Sequence, residues 1–307
     1  MISFFTTMKP FTGHNGVIQR NALRSWAQLT PRPEIIIMGE ADGVEEICAE
    51  LDCRHVPDIQ VSEKGVPYVD AMFRKANEIA THDILCFSNG DIIFMDDLIQ
   101  TVTYVSTRHQ RYVIAGQRVD VDITEQIVFE AGWQLACKSY AQRNGNLHGP
   151  DGIDYFVFSK GILDDLPPLV VGRQGWDNYL IYHVISQGIP FIDATASMIV
   201  IHQNHDYHYV PGGRVALLDS ADTKQNRQRL SDVAGRVYTL LDAKYVFDGQ
   251  RTYRVPNFLL QWRHLAITLY NRYPSVQFIG RYARINADWL LRFYRRSPLR
   301  SKRTNAS

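Results

Sequence analysis

The sequence predicts an α/β fold: a mixed sheet flanked by helices, followed by a C-terminal basic helical extension. Three observations carry that prediction. Short apolar runs alternate with stretches of helical apolar spacing through the first half of the chain, as a sheet built through crossover helices requires. The clearest apolar run ends abruptly in Ser88, Asn89, Gly90 and Asp91. Near residue 244 the composition turns aromatic and basic.

Taken in order, Ile2–Thr7 reads as the first strand, and residues 17–29 as a helix with apolar positions at Ile18, Ala22, Leu23 and Trp26. Glu34–Met38 is a second, buried strand; residues 43–51 and 66–80 are helices. Residues 83–87 form the most apolar strand, and 92–94 continue as a short apolar segment. Asp96 or Asp97 is placed to cap a helix over 98–106. Residues 112–115 read as a strand, 124–142 as a helix, 155–158 as a strand, 178–186 as a helix, and 190–194 and 198–201 as strands. No internal repeat or low-complexity tract interrupts this order.

With 307 residues, 45% apolar and 21% charged, the chain has a globular composition that excludes disordered and collagenous classes. No run approaches the roughly 18 apolar residues that cross a bilayer. The first eleven residues are broken by Lys9 and Pro10 too early for a signal peptide, so a cytoplasmic compartment is expected. Cys48, Cys53, Cys86 and Cys137 lack both zinc-site spacing and the density of a disulfide scaffold, and are expected to be buried thiols.

Charge divides the chain. Residues 250–307 carry twelve Lys and Arg against the single acid Asp288, a net of +11, whereas residues 1–249 carry 21 bases against 31 acids, a net of −10. The boundary therefore falls at 249/250, between a catalytic domain (1–249) and a basic amphipathic extension (250–307). In the extension, Leu, Ile, Trp, Phe and Tyr recur at helical spacing with arginines at the edges, which suits attachment to an anionic membrane surface. Packing back onto the acidic domain or self-association would explain the same composition. No nucleic-acid module accompanies the charge, so nucleic acid is not an expected partner.

Open α/β sheets bind ligands beyond the carboxyl ends of their strands, which directs attention to Asn89-Gly90-Asp91. Gly90 permits a turn and close approach, Asp91 offers a hard oxygen donor to a divalent cation, and Asn89 can hydrogen-bond ribose or phosphate. Asn, Gly and Asp also make ordinary turns.

The stretch Ile84-Leu85-Cys86-Phe87-Ser88-Asn89-Gly90-Asp91-Ile92-Ile93-Phe94 resembles the DxD-bearing strand and turn of GT-A fold nucleotide-diphospho-sugar glycosyltransferases, family 2-like or unclassified, of bacterial and plant type. Asn89 stands where the first Asp of the motif would be. The resemblance spans about residues 1–244. It implies a Rossmann-like GT-A fold, transfer of a hexosyl group from a UDP- or GDP-sugar to a hydroxyl acceptor, and a divalent metal, Mn²⁺ or Mg²⁺, on Asp91. The acceptor implied is a polysaccharide or lipid-linked glycan.

By the same resemblance, Thr6, Thr7 and the Gly65 turn are candidate donor contacts, with strand-end hydroxyls capping the backbone as the other reading of Thr6 and Thr7. Gly175-Trp176-Asp177-Asn178 opens a helix beside the acceptor, making Asp177 the candidate general base of an inverting transfer, with capping of that helix as its other reading. His202, in a cluster with His205 and His208 past a late strand, is the candidate second metal ligand, with His205 next. Asp151 and Asp154 are candidate acceptor contacts, with a polar turn before a core strand as the other reading; Trp176 is a candidate stacking platform, though large aromatics are more often core. Gly212-Gly213-Arg214 suggests a loop closing over the diphosphate, with Arg214 on the donor. Two rivals are a sugar-phosphate nucleotidyltransferase, whose phosphate loop residues 8–16 match only faintly, and a non-catalytic binding scaffold, favoured by Asn89.

Overall fold

The computed structural model describes residues 1–205, 216, 218–230 and 238–296. Its centre is a nine-stranded mixed sheet in the order β13-β12-β10-β6-β9-β4-β1-β2-β3. These strands are β1 (Ile2–Thr7), β2 (Glu34–Met38), β3 (Arg54–Val56), β4 (Ile84–Ser88), β6 (Val113–Ala115), β9 (Tyr155–Ser159), β10 (Phe191–Asp193), β12 (Tyr245–Phe247) and β13 (Thr252–Arg254). Strands β3, β2, β1 and β4 run parallel, as do β6, β10 and β12, while β9 is antiparallel to both β4 and β6. The expected α/β sheet with flanking helices is therefore present.

Both faces are buried, and the alternation along β1 shows how. Phe5 points into a cluster with Phe73, Phe87 and Phe158, whereas Phe4 points the other way, to Trp26 and Phe94. Successive strand side chains take opposite faces, so a continuous apolar run fits a sheet covered twice. Helices α1 (Gly13–Ala27), α2 (Val44–Leu51) and α4 (Asp97–Ser106) cover the Phe4 face; α3 (Val69–Ile79) and α6 (Trp176–Ser186) cover the Phe5 face.

A second, four-stranded sheet, ordered β5-β11-β7-β8, is built from β5 (Ile92–Ile93), β7 (Val119–Val121), β8 (Asn146–Leu147) and β11 (Ile201–Gln203). Its β5 leaves the main sheet directly after the Asn89–Asp91 turn, and side chains of α1 fix it: Trp26 Nε1 donates to the Ile92 carbonyl at 2.7 Å, and Ser25 Oγ accepts from Phe94 N at 3.2 Å.

Several sequence expectations change. The helix expected over 124–142 is α5 (Trp133–Asn144) alone. Buried Asn21 claims the preceding segment, donating to the Glu125 carbonyl at 2.9 Å and accepting from Ile127 N at 2.8 Å; Gly132, at φ 88°, then starts the helix. The strand expected over 198–201 starts at Ile201. Asp96 and Asp97 do not cap α4 with their side chains; Asp96 accepts from Gln134 and Asp97 pairs with Lys138.

The helix α7 (Ala221–Arg229) is capped by Ser220, whose Oγ accepts from Thr223 N. Strands β12 and β13 straddle position 249 and end the main sheet, and the hairpin α8 (Asn257–Arg272) and α9 (Gln277–Arg296) follows. The hairpin packs back onto the sheet through two buried arginines. Arg263, 1% exposed, meets Asp242 and Asp288; Arg295 Nη1 meets Asp193 Oδ2 at 2.6 Å. Among the described residues no helix is long and apolar enough to cross a membrane. Cys48 and Cys86 are buried and Cys53 and Cys137 half-buried; burial pushes the Cys48 and Cys53 thiols up to about 11 and about 12.

Candidate functional site

The carboxyl ends of β1, β4, β6 and β10 lie along one edge of the main sheet, and the start of antiparallel β9 joins them there. The β4–β9 register sets Ser88 opposite Tyr155, so Asn89 adjoins Asp154: Asn89 N donates to the Asp154 carbonyl at 2.8 Å and Asn89 Nδ2 to Asp154 Oδ1 at 2.7 Å. Gly90 packs on Met8; a Cβ there would sit 2.5 Å from Met8 Sδ. Met8 thus leaves no room for a side chain at Gly90, whose backbone has no positive φ.

Asp91 is buried at the start of the second sheet. Its backbone carbonyl accepts from Gln203 N at 3.2 Å and from Gln203 Nε2 at 3.1 Å, and the fully buried Gln203 is held in turn by Asn21. The β11 register places His202 between Ile92 and Asp120. Consequently Asp91 Oδ2 lies 3.1 Å from His205 Nε2 and 3.8 Å from His202 Nε2. The three side chains offer ligand atoms within 4.8 Å of one another. Burial pushes the Asp91 carboxyl up, but the hydrogen bond from His205 and the charges of His202, His205 and Lys9 outweigh it and hold the group at about 2.

Whether this cluster fits a divalent cation turns on one atom. Among the described residues the buried Asp91 Oδ1 has no hydrogen-bond partner, a state that costs about 1–3 kcal/mol or more for a charged acceptor unless a cation answers it. One carboxylate and two imidazoles form a donor set suited to Mn²⁺ and less usual for Mg²⁺. The residues present therefore fit a metal.

Behind the cluster stands a network whose Arg118, Asp120 and His148 the sequence alone did not single out. Asp120 Oδ1 lies 3.0 Å from His202 Nδ1, though off the line of a hydrogen bond, and accepts from Arg118 Nε at 2.8 Å. Asp120 Oδ2 meets His148 Nδ1 at 2.7 Å. Arg118 also pairs with Asp154, which links the Asp91–His202–His205 cluster to Asn89. Burial lowers the His202 pKa while Asp120 and Asp91 raise it, and the two carboxylates prevail. Burial likewise raises the Asp120 carboxyl, but His202, His148 and Arg118 hold it well below the usual range. A signal was available: Arg118 and Asp120 alternate with Val119 and Val121, the period of a strand with one polar face.

Asp177 opens α6 half-buried, and its Oδ2 accepts from Ile153 N at 3.1 Å, next to Asp154. Burial pushes its carboxyl up to about 6, aided by the Asp154 charge and only partly offset by backbone hydrogen bonds. Of the two readings of Trp176 the structure takes the core one and corrects its assignment as a stacking platform: it is 5% exposed and edge-on to Phe87 and Phe156, with no open ring face. Thr6 is buried, with its hydroxyl turned to the Thr7 carbonyl, and Thr7 is half-buried. Gly65 and Asp151 are both exposed, Asp151 on the loop that carries His148. Arg214, Gly212, Gly213 and His208 lie outside the described residues.

No family model matches the chain. No curated protein matches it either. Among solved structures it is similar to glucosyl-3-phosphoglycerate synthase from Mycobacterium tuberculosis, at 16% identity over 83% of this chain and 88% of that one, with a TM-score of 0.45. The same enzyme in complex with Mn²⁺ and UDP-glucose gives 15% identity, coverages of 77% and 79%, and a TM-score of 0.41. A Desulfovibrio desulfuricans G20 protein designated a nucleotide-diphospho-sugar transferase gives 10%, coverages of 76% and 96%, and 0.41. At these identities and scores the likeness carries no activity, ligand or residue role to this chain.

Proposed function

We propose that the chain is a metal-dependent glycosyltransferase that moves a hexosyl group from a UDP- or GDP-sugar to a hydroxyl of a polysaccharide or lipid-linked glycan, acting in the cytoplasm. The observation that carries this reading is the Asp91 carboxylate: buried at the carboxyl edge of the sheet, one oxygen without a partner among the described residues, two imidazoles converging on the other. Asp91, His202 and His205 would hold Mn²⁺ or Mg²⁺, which supplies Lewis-acid neutralisation of the departing diphosphate.

The protein's own groups divide the remaining work. Asn89 and Gly90 at the turn, Thr6 and Thr7 at the end of β1, Gly65 and Arg214 are assigned to the donor. Asp151 and Asp154 are assigned to the acceptor, with Arg118 fixing the Asp154 carboxylate. Asp177 takes the acceptor hydroxyl's proton as that oxygen bonds to the anomeric carbon and the bond from carbon to diphosphate oxygen breaks. A carboxyl at about 6 is largely ionised at neutral pH yet more basic than an ordinary aspartate, as a general base requires.

The test is a thermal-shift series with UDP, GDP and UDP-glucose, each with and without Mn²⁺. Ligand at a hundredfold its Kd stabilises by about 2.7 kcal/mol, so a Mn²⁺-dependent rise in Tm with a nucleoside diphosphate is expected. The reading fails if no nucleotide raises Tm in Mn²⁺ and no UDP-sugar is hydrolysed or transferred.

A further inference from the structure

The two C-terminal helices turn apolar stripes outward. In α9, Phe278, Tyr282, Ile285, Trp289 and Phe293 recur at intervals of four and three residues, which puts them on one side, and all are exposed, Phe278 at 73% and Trp289 at 62%. The side facing the protein carries Gly280, Ala287, Leu291 and Arg295. Helix α8 repeats the arrangement: Phe258, Trp262 and Leu265 are exposed at the same spacing, while Leu259, Arg263, Ala266 and Ile267 are buried. A surface helix ordinarily shows the reverse, with its aromatic side inward.

The hairpin is a fixed platform rather than a frayed tail. The helices cross backbone to backbone, so that a Cβ on Gly280 would lie 2.4 Å from Tyr270 N. Arg263 and Arg295 bolt the inner side to Asp242 and Asp193. The outward stripes are therefore held in place before any partner arrives.

Charge identifies the occupant. Arg272, Arg281 and Arg292 are exposed along the hairpin. Asp288, the one acid in residues 250–307, is turned to Arg263 Nε at 2.7 Å and Arg284 Nε at 3.7 Å. Pairing this face with a second copy would bring arginines together with no acid to answer them. Anionic headgroups answer them, and Trp, Tyr and Phe suit the boundary between headgroup and acyl chain. From the outward stripes and their arginine rim we infer that the α8–α9 hairpin docks the protein peripherally on an anionic lipid bilayer. The face borders the candidate site: Arg292 lines a crevice with Gln117, Leu147 and Thr195, and Gln117 donates to the His148 carbonyl. The docking does not depend on the transferase reading.

The full chain is tested by co-sedimentation with vesicles of phosphatidylcholine alone and with added phosphatidylglycerol, alongside two exposed-surface variants, Phe278→Ser/Trp289→Ser/Phe293→Ser and Arg281→Glu/Arg292→Glu. The parent is expected to pellet with the anionic vesicles only. Each variant should lose at least about tenfold in partitioning, with its thermal transition unchanged. Brominated phosphatidylglycerol should quench the parent's tryptophan emission, a readout that stands even if a variant misfolds. The inference is overturned if the parent stays in the supernatant, if parent and apolar variant pellet equally, or if brominated lipid leaves emission unaltered. It is also overturned if sedimentation velocity shows a parent dimer at micromolar concentration that the apolar variant dissociates, since a second copy would then cover the face.

Discussion

Asp120 lies directly across the β7–β11 ladder from His202, with its Oδ1 3.0 Å from the imidazole Nδ1. A carboxylate there favours the tautomer with the proton on Nδ1, which leaves Nε2, the nitrogen facing Asp91, with its lone pair. Removing the partner behind a histidine ligand typically weakens metal binding about 10–100-fold. Asp120→Asn is therefore expected to weaken Mn²⁺ binding in that range, read by calorimetric titration, while the far-UV spectrum stays that of the parent. Unchanged affinity would mean that Asp120 serves only Arg118 and His148.

Protons and metal compete for the same nitrogens. Because Asp120 and Asp91 raise the His202 pKa, the imidazole holds its proton to higher pH than an ordinary histidine. Mn²⁺ affinity should accordingly fall as pH is lowered, by up to about tenfold per unit for one displaced proton. A titration flat between pH 6 and pH 8 would show that no histidine ligates.

Asp177 sets activity against stability. Its folded pKa, about 6, lies above the ordinary 3.8, so the native state binds the proton more tightly than the unfolded chain. Between those values stability falls as pH rises, and the loss is fully present at pH 7. Asp177→Asn keeps an acceptor for Ile153 N and removes the charge. It should gain about 1 kcal/mol at pH 7, after allowing for partial solvation, and lose about a hundredfold or more in kcat. The parent's kcat/KM should decline below about pH 6. A variant with parental turnover removes Asp177 from the base role.

Arg263 holds the hairpin by charge. Burial alone would raise the Asp242 carboxyl; Arg263 and His264 outweigh it and lower it. Breaking one side of a buried pair costs about 3–5 kcal/mol, so Arg263→Met should destabilise by about that amount at pH 7 in urea titrations. In the parent this stability is present above about pH 4 and is lost as pH falls through the depressed Asp242 pKa. The deficit of Arg263→Met should shrink toward pH 4, where protonation removes the charge it strands. A deficit independent of pH would assign the loss to packing.

The main sheet was largely readable in one dimension. Ile2–Thr7 and Glu34–Met38 have the predicted bounds because a strand buried on both faces is a continuous apolar run, and residues 83–87 match β4 within one position. The short polar strands escaped: β3, β7 and β8 are three residues or fewer, and their stability comes from neighbouring strands rather than from local pattern. The helix expected over 124–142 yielded to hydrogen bonds that its first residues exchange with Asn21, about a hundred positions earlier, which no local periodicity reports.

The same division holds at the site. That Asp91 ends an apolar strand on a turn, and that histidines follow a late one, can be read along the chain, because residue type and strand periodicity are local properties. That His202 falls opposite Asp120, that Arg118 bridges Asp120 to Asp154, and that Trp176 is buried rather than open depend on register and layer packing. Those are settled by pairings more than eighty positions apart in the case of Asp120 and His202. The charge of residues 250–307 was likewise plain from composition, but which side of each helix met the protein was not. An amphipathic stripe has two possible orientations, and buried ion pairs at Arg263 and Arg295 selected the one that leaves the aromatics outside.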